Sequence, residues 1–98
     1  MAERVIIYWR DIPAQVIVRL KRQSERRELP ERFIQAIDRC AMHVGAKDSA
    51  AYLAEWRRGS PETCSDELAR EADNAQERLC AEYTDERLKA LVTAGGWA

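Results

Sequence analysis

Cys40 and His43 are the two residues of this chain whose types and spacing come closest to a metal or catalytic site. Three positions apart, they would share one face of a helix. Cys64 and Cys80 could add two further ligands and complete a four-ligand zinc site. Structural zinc sites usually take their ligands in close pairs, whereas these two cysteines stand alone in the sequence. We therefore predict no metal site and interpret the three cysteines as reduced thiols.

Acid–base or nucleophilic catalysis would have to use His43, because it is the single histidine of the chain. Its neighbour Cys40 falls on a predicted apolar helix stripe, where a thiol behaves as a small hydrophobic side chain. The glycines fall at predicted helix ends and form no phosphate-binding loop. Carboxylates over residues 66–82 alternate with arginines, which is typical of a solvated helix face. These features favour a non-catalytic protein without a cofactor over an enzyme.

A second group of residues suggests binding rather than catalysis. Residues 8–15 combine aromatic, charged and proline side chains at a predicted turn, and a Trp-Arg pair recurs further along the chain. Tryptophan and arginine are enriched in binding hot spots, although the tryptophans could equally be core anchors. The residues predicted to contact a partner are Tyr8, Arg10, Asp11, Gln15, Trp56 and Arg57.

A basic run lies beside this group. With the aromatic hairpin residues it could bind RNA or single strands by stacking and charge. An exposed strand face, whose charges discourage edge pairing, is the alternative interpretation, as is docking onto an acidic protein surface or a phosphorylated cofactor. Nucleic-acid binding is therefore kept as the alternative function. The run consists of Arg19, Lys21, Arg22, Arg26 and Arg27.

The residue pattern predicts that a β-hairpin positions these side chains. Residues 4–10 and 15–21 are rich in β-branched and aromatic types, which predicts two antiparallel strands within a hairpin over 4–21. Pro13 lacks an N–H group, so pairing is expected to stop there. Residues 22–29 are polar and predict an exposed connection. Both hairpin edges would then be open, which also predicts a homodimer through edge pairing.

Apolar residues at helical spacing predict three to four helices over residues 30–94, followed by a tail at 95–98. The fold class is therefore α+β with the order ββαααα. The first stripe holds Phe33, Ile37, Cys40, Ala41 and Val44, and the third helix is predicted over 66–82. The first helix is predicted to begin at Pro30 and to end at Gly45. The second is predicted to have Asp48 as its N-cap and to end with Trp56-Arg57-Arg58. Gly95-Gly96 is predicted to end the last helix and to leave Trp97 on a flexible tail.

Composition limits the class of protein. The chain has 98 residues, 46% of them apolar, which fits one domain over 1–98 with a small core. Net charge is −1, but residues 1–49 carry 10 Lys/Arg against 7 Asp/Glu and residues 50–98 carry 6 against 10. This asymmetry favours oriented docking onto a charged partner. Without a long apolar run or a signal-peptide pattern, we expect a cytoplasmic protein with no membrane partner.

Three segments carry a family resemblance. They are Tyr-Trp-Arg-Asp-Ile-Pro-Ala-Gln-Val at 8–16, Leu-Pro-Glu-Arg-Phe-x-x-Ala-Ile-Asp-Arg at 29–39 and Tyr-Leu-x-x-Trp at 52–56. They resemble the small bacterial family called "virulence factor". The resemblance covers residues 3–58 well and the charged third helix loosely. The ending at 89–97 is similar to the tail of short stand-alone alphaproteobacterial members.

The resemblance implies a function more specific than the residues do. Related domains sit at the ends of larger helical-repeat proteins, which suits an interaction module. Short stand-alone members tend to lie beside genes for corrinoid and tetrahydrofolate methyl transfer. The resemblance therefore implies an accessory subunit of a multi-part cobalamin-dependent methionine synthase or of its reactivation system, with corrinoid methyltransferase components as partners. The sequence contains no corrinoid-binding Asp-x-His-x-x-Gly motif, so the chain is not expected to ligate cobalt.

Overall fold

In the computed structural model, which describes residues 1–46 and 49–98, five strands and four helices follow one another. The strands are β1 (Ala2–Trp9), β2 (Ile12–Leu20), β3 (Gln23–Glu28), β4 (Trp56–Arg58) and β5 (Glu62–Cys64). The helices are α1 (Glu31–His43), α2 (Ser49–Ala54), α3 (Leu68–Glu82) and α4 (Asp85–Thr93). Antiparallel N-terminal strands followed by helices confirm the α+β class. Asp48, the predicted cap of the second helix, lies outside the described residues.

The antiparallel sheet has the strand order β3-β2-β1-β4, and β5 also pairs with β1. β4 lies opposite residues 7–9 of β1, and β5 lies opposite residues 2–4. The prediction that both hairpin edges are open is therefore wrong: β3 pairs along the β2 edge, and the β1 edge is covered as well. Two three-residue strands cover it, and segments that short are too brief to show a strand period. β3, at one end of the strand order, is then the sheet edge left for pairing between two copies.

Residues 22–29 are not an exposed connection, because most of them form β3. This strand pairs antiparallel with β2, so that Glu28 lies opposite Gln15 and Gln23 lies opposite Leu20. An edge strand needs no apolar side chains when ion pairs hold its inner face. Arg27 supplies these, because its Nε lies 2.7 Å from Asp73 Oδ1 on α3 and its Nη1 lies 2.9 Å from Glu25 Oε2. The charged composition that predicted a loop therefore belongs to a strand.

Pro13 also lies inside a strand, contrary to the prediction that pairing stops there. The register shifts between Ile7, which lies opposite Gln15, and Tyr8, which lies opposite Pro13. Ala14 is therefore the extra residue of a β-bulge, and its carbonyl accepts a hydrogen bond of 3.0 Å from the Leu29 N–H. The bulge is a position where a sheet tolerates proline.

The main hydrophobic core lies between the sheet and the helices. Trp9 and Phe33 are its largest fully buried side chains. The predicted stripe of α1 is confirmed, with Phe33, Ile37, Cys40 and Ala41 buried and Val44 half-buried just beyond the helix end. From α3 and α4 the core receives Ala72, Ala75, Leu79, Leu88 and Leu91.

α3 is held against the sheet by small residues and by charge. Its buried residues include two alanines, which allow close packing. Arg4 of β1 lies between two carboxylates, 3.1 Å from Glu62 and 3.9 Å from Glu71.

Val5 and Ile17 lie opposite each other on β1 and β2 and are buried outside the main cluster. They lie on the other sheet face, because side chains alternate between the two faces of a sheet.

No helix within the described residues has both the length and the apolar character that a bilayer crossing requires.

Replacing Phe33 by alanine is expected to lower the free energy of unfolding by about 3–5 kcal/mol. Phe33 is 0% exposed, whereas its neighbour Ile34 is 41% exposed on the same helix. Ile34→Ala is the matched control and should change stability by less than about 1 kcal/mol. Urea unfolding followed by circular dichroism measures both, and equal effects would contradict the placement of this stripe.

Candidate partner-binding site at the hairpin turn

Arg10 and Asp11 form the two-residue turn between β1 and β2. Arg10 adopts a left-handed backbone with φ +54°. Neither N–H group bonds within the hairpin: Arg10 donates to the Glu55 carbonyl at 3.0 Å and Asp11 donates to the Gly96 carbonyl at 2.7 Å. The turn therefore joins segments that lie more than 40 residues away in sequence.

The Arg10 side chain attaches the C-terminal residues to this turn. Its Cζ lies 5.2 Å from the ring centroid of Trp9 and 5.3 Å from that of Trp97, so the guanidinium lies between two indoles. Its Nη1 donates to the Gly95 carbonyl at 2.6 Å, and its Nε lies 3.3 Å from Glu55. The side chain is only 17% exposed. Cation–π contacts and a charge-assisted hydrogen bond therefore fold the tail, which was predicted to be flexible, back onto the turn.

Asp11 holds the end of the same segment. One carboxylate oxygen accepts a hydrogen bond of 2.7 Å from the Ala98 N–H, and the other accepts one of 2.7 Å from Arg57 Nη2. The Ala98 hydrogen bond has the largest effect and lowers the pKa of Asp11. Burial opposes it, and the hydrogen bond and charge of Arg57 lower the pKa further. We call Arg10, Asp11 and residues 95–98 the tail clamp.

Arg57 extends the tail clamp toward β1. Its Nε donates to the Arg10 carbonyl at 2.9 Å, and its Cζ lies 4.5 Å from the ring centroid of Tyr8. Burial is the main cause of the raised Tyr8 pKa, which the Arg57 charge opposes. Arg57 belongs to β4, so the prediction that residues 56–58 end a helix is wrong. Residues 56–58 form a strand because their backbone pairs with β1. A segment of three residues is too short to show the alternation of a strand in the sequence.

Trp56 belongs to an aromatic row beside the clamp. Its ring stacks edge-on against Tyr52 with centroids 5.9 Å apart, and Tyr52 lies 5.8 Å from Trp9. Trp9 Nε1 donates to the Tyr52 carbonyl at 2.9 Å. Trp9 is therefore a core anchor, while Trp56 is half-buried at the core's rim.

The structure brings together every predicted contact residue except Gln15. Gln15 lies on the far side of the bulge, opposite Ile7 and Glu28. The sequence interpretation missed Glu55 and Trp97 as members of this cluster. The Gly-Gly-Trp segment at 95–97 was the signal for Trp97, since two glycines with positive φ let the chain fold back.

Part of the cluster stays at the surface. Trp97 is 48% exposed and the Arg57 side chain is 44% exposed, although both are held in place. An aromatic ring and a cation that are fixed before binding lose little conformational entropy when a partner arrives. The chemical capacity of the site is therefore recognition of another surface. Contact between these residues and a partner stays a prediction.

The basic run does not form one patch. Arg27 is engaged with α3, and Arg19 lies 3.9 Å from Glu3. Arg26 is opposite Ile17 and so points to the other sheet face from Arg27. Lys21 and Arg22 occupy the turn before β3. A single-strand binding surface made of all five side chains is therefore not assembled here.

Cys40 and His43 differ in environment. Cys40 is fully buried, and burial raises its thiol pKa. His43 is exposed at the end of α1. Burial and the neighbouring Glu71 raise the pKa of Cys64. Within residues 1–46 and 49–98, no group of three or more His, Cys, Asp or Glu side chains is placed to hold a metal ion.

Gly96→Ala is expected to destabilise the protein more than Gly45→Ala. Both glycines have positive φ, of +90° and +78°, so each substitution brings backbone strain of about 1–3 kcal/mol. A Cβ at Gly96 would also lie 2.9 Å from Arg10 Cδ and 3.1 Å from Cys40 Sγ, whereas one at Gly45 meets nothing within 4 Å. Urea unfolding of the two variants measures the difference. Equal losses would show that the tail is not packed against Arg10.

The Asp11 carboxyl is expected to titrate below the value of about 3.9 of an unperturbed aspartate. Because its folded-state pKa is lowered, its contribution to stability is present above the unfolded pKa and is lost as pH falls through the folded pKa. Carbon-detected NMR measures the titration of the Asp11 carboxyl carbon. The Ala98 amide signal should shift with the same midpoint, because this amide donates to that carboxylate. Arg57→Ala should raise that midpoint only in part, because the Ala98 hydrogen bond remains. A midpoint at the unperturbed value would contradict the clamp.

Comparison with known proteins agrees with the sequence motifs. The family model described as "Virulence factor" matches residues 7–92, which include the hairpin turn, the first three helices and α4 up to its last residue. No curated protein and no solved structure matches the chain. Since the matched segment covers most of the 98 residues, the chain belongs to the virulence factor family.

Proposed function

We propose that this chain is a non-catalytic accessory protein that binds another protein through the surface of the tail clamp. The observation that carries the proposal is the exposed but fixed pair Trp97 and Arg57. Arg10 holds the indole through a cation–π contact, and Asp11 holds the guanidinium through an ion pair of 2.7 Å. Tryptophan and arginine are among the residue types most enriched in binding hot spots.

The chemistry near the clamp also supports binding rather than catalysis. Cys40 is a nucleophilic side chain beside the tail, with its Sγ 3.1 Å from where a Gly96 Cβ would lie. It is buried and its pKa is raised, so at neutral pH it is a thiol rather than a reactive thiolate. Asp11, with a lowered pKa, stays ionised and suits an ion pair better than proton transfer.

Resemblance to the short stand-alone family members supports a more specific role. In this proposal the protein acts in the cytoplasm as a subunit of a multi-part cobalamin-dependent methionine synthase, or of the system that reactivates it. Its partner would then be a corrinoid methyltransferase component. The unpaired state of Cys40, Cys64 and Cys80 agrees with a reducing compartment.

Arg57→Ala is expected to abolish partner capture, whereas Arg58→Ala should not. The two arginines are neighbours on β4, but Arg58 lies opposite Ile7 and points to the other sheet face. In a deletion strain grown without methionine, wild type and Arg58→Ala should restore growth and Arg57→Ala should not. Affinity capture from the same cells, followed by mass spectrometry, identifies the partner.

Two outcomes would contradict parts of this proposal separately. Normal growth of the deletion strain without methionine would remove the methyl-transfer role. Equal capture by Arg57→Ala and wild type, with both folded by circular dichroism, would remove the tail clamp as the contact surface.

A further inference from the structure

A groove of about 510 Å³ lies between α1 and α4, away from the tail clamp's exposed side chains. It is open to solvent rather than enclosed. Its lining comes from both helices and is Arg32, Gln35, Ala36, Arg39, Asp85, Leu88, Lys89, Val92 and Thr93. Nothing in the tail-clamp proposal uses these residues.

The two helices run side by side in the same direction. At their beginnings Arg32 Nη1 lies 3.5 Å from Asp85 Oδ1. Just beyond the end of α4, the Gly96 position is in contact with Cys40 near the end of α1. The groove spans Arg32 to Arg39 on one wall, which is roughly 10 Å, or two helical turns, at 1.5 Å per residue. That length matches a short helical segment.

The floor of the groove is apolar. Ala36 and Leu88 are buried and Val92 is half-buried, and all three belong to or pack against the main core. Such a floor takes up the apolar side chains that a partner helix presents at spacings of three and four residues.

The rim of the groove is positively charged. The one carboxylate in the lining, Asp85, already faces Arg32, which also donates to the carbonyls of Cys80 and Tyr83. Arg39 and Lys89 are exposed on opposite walls, and neither side chain has an ion pair or hydrogen bond to any residue in 1–46 or 49–98. Two free cations therefore flank the apolar floor.

We propose that this groove binds an acidic amphipathic helix of the partner protein, with apolar residues on the floor and carboxylates against Arg39 and Lys89. This rests on the proposed function, since it assigns a second contact with the same partner. A second copy of the chain fits less well. Its acidic helix, α3, has no large exposed apolar side chain that could enter the groove. Among the described residues, the large exposed apolar side chains are Met1, Ile34, Met42, Leu53 and Trp97, and none of them belongs to α3.

The test uses the full chain and a synthetic amphipathic peptide with leucines on one helical face and glutamates flanking them. We expect binding by fluorescence anisotropy and amide shifts in NMR spectra at Ala36, Leu88 and Val92. A peptide with lysines in place of the glutamates should bind at least about tenfold more weakly, because like charges oppose it. Shifts located elsewhere, or equal binding of both peptides, would overturn the proposal, as would self-association through the groove.

The double variant Arg39→Glu/Lys89→Glu should weaken binding of the glutamate peptide by about tenfold or more. Arg22→Glu/Arg78→Glu is the matched control, with the same charge change at exposed sites outside the groove lining, and should bind normally. In cells, if Arg39→Glu/Lys89→Glu still captures the partner at wild-type level while Arg57→Ala does not, the groove is excluded and the proposed function stands. If wild type captures no partner at all, the proposed function fails, whatever the peptide does.

Discussion

The contact between the Arg10 guanidinium and the C-terminal segment determines much of the architecture. Arg10 lies between Trp9 and Trp97 and donates to the Gly95 carbonyl, so one half-buried cation joins β1 to the end of the chain. A charge at 17% exposure is tolerable because aromatic faces, a carbonyl and the nearby Glu55 carboxylate replace part of its hydration. The left-handed backbone at Arg10 is the strain that accompanies this placement.

The same contact supports the end of α4, whose Leu88 and Leu91 pack into the main core. The Gly96 N–H donates to the Leu91 carbonyl at 2.7 Å, so the clamped tail and the last turn of α4 form one unit. A Cβ at Gly96 would lie 3.1 Å from Cys40 Sγ, so the tail packs closely beside the end of α1. The shape of the α1–α4 groove therefore depends on the tail clamp, although the two surfaces have different chemistry. Both proposed contact surfaces share this one support.

Charged side chains have two separate roles in this small protein. Arg4 and Arg27 connect the sheet to β5 and α3 and act within the fold. Arg39 and Lys89 have no such partner among residues 1–46 and 49–98 and lie on a groove rim. The basic N-terminal half and acidic C-terminal half identified in the sequence therefore partly neutralise each other, and the charge available to a partner is what remains unpaired.

The sequence alone determined the α+β class, the hairpin and the apolar stripe of α1, and it singled out the aromatic and charged residues of the first turn. These depend on local periodicity and residue type, which are visible within a short window. Only the tertiary structure decided that a charged segment becomes β3, that residues 56–58 form a strand, that Pro13 sits in a bulge and that Trp97 folds back onto Arg10. Each of these depends on contact with a segment distant in sequence. Such contacts do not change the local spacing of apolar residues, so a short window of sequence cannot reveal them.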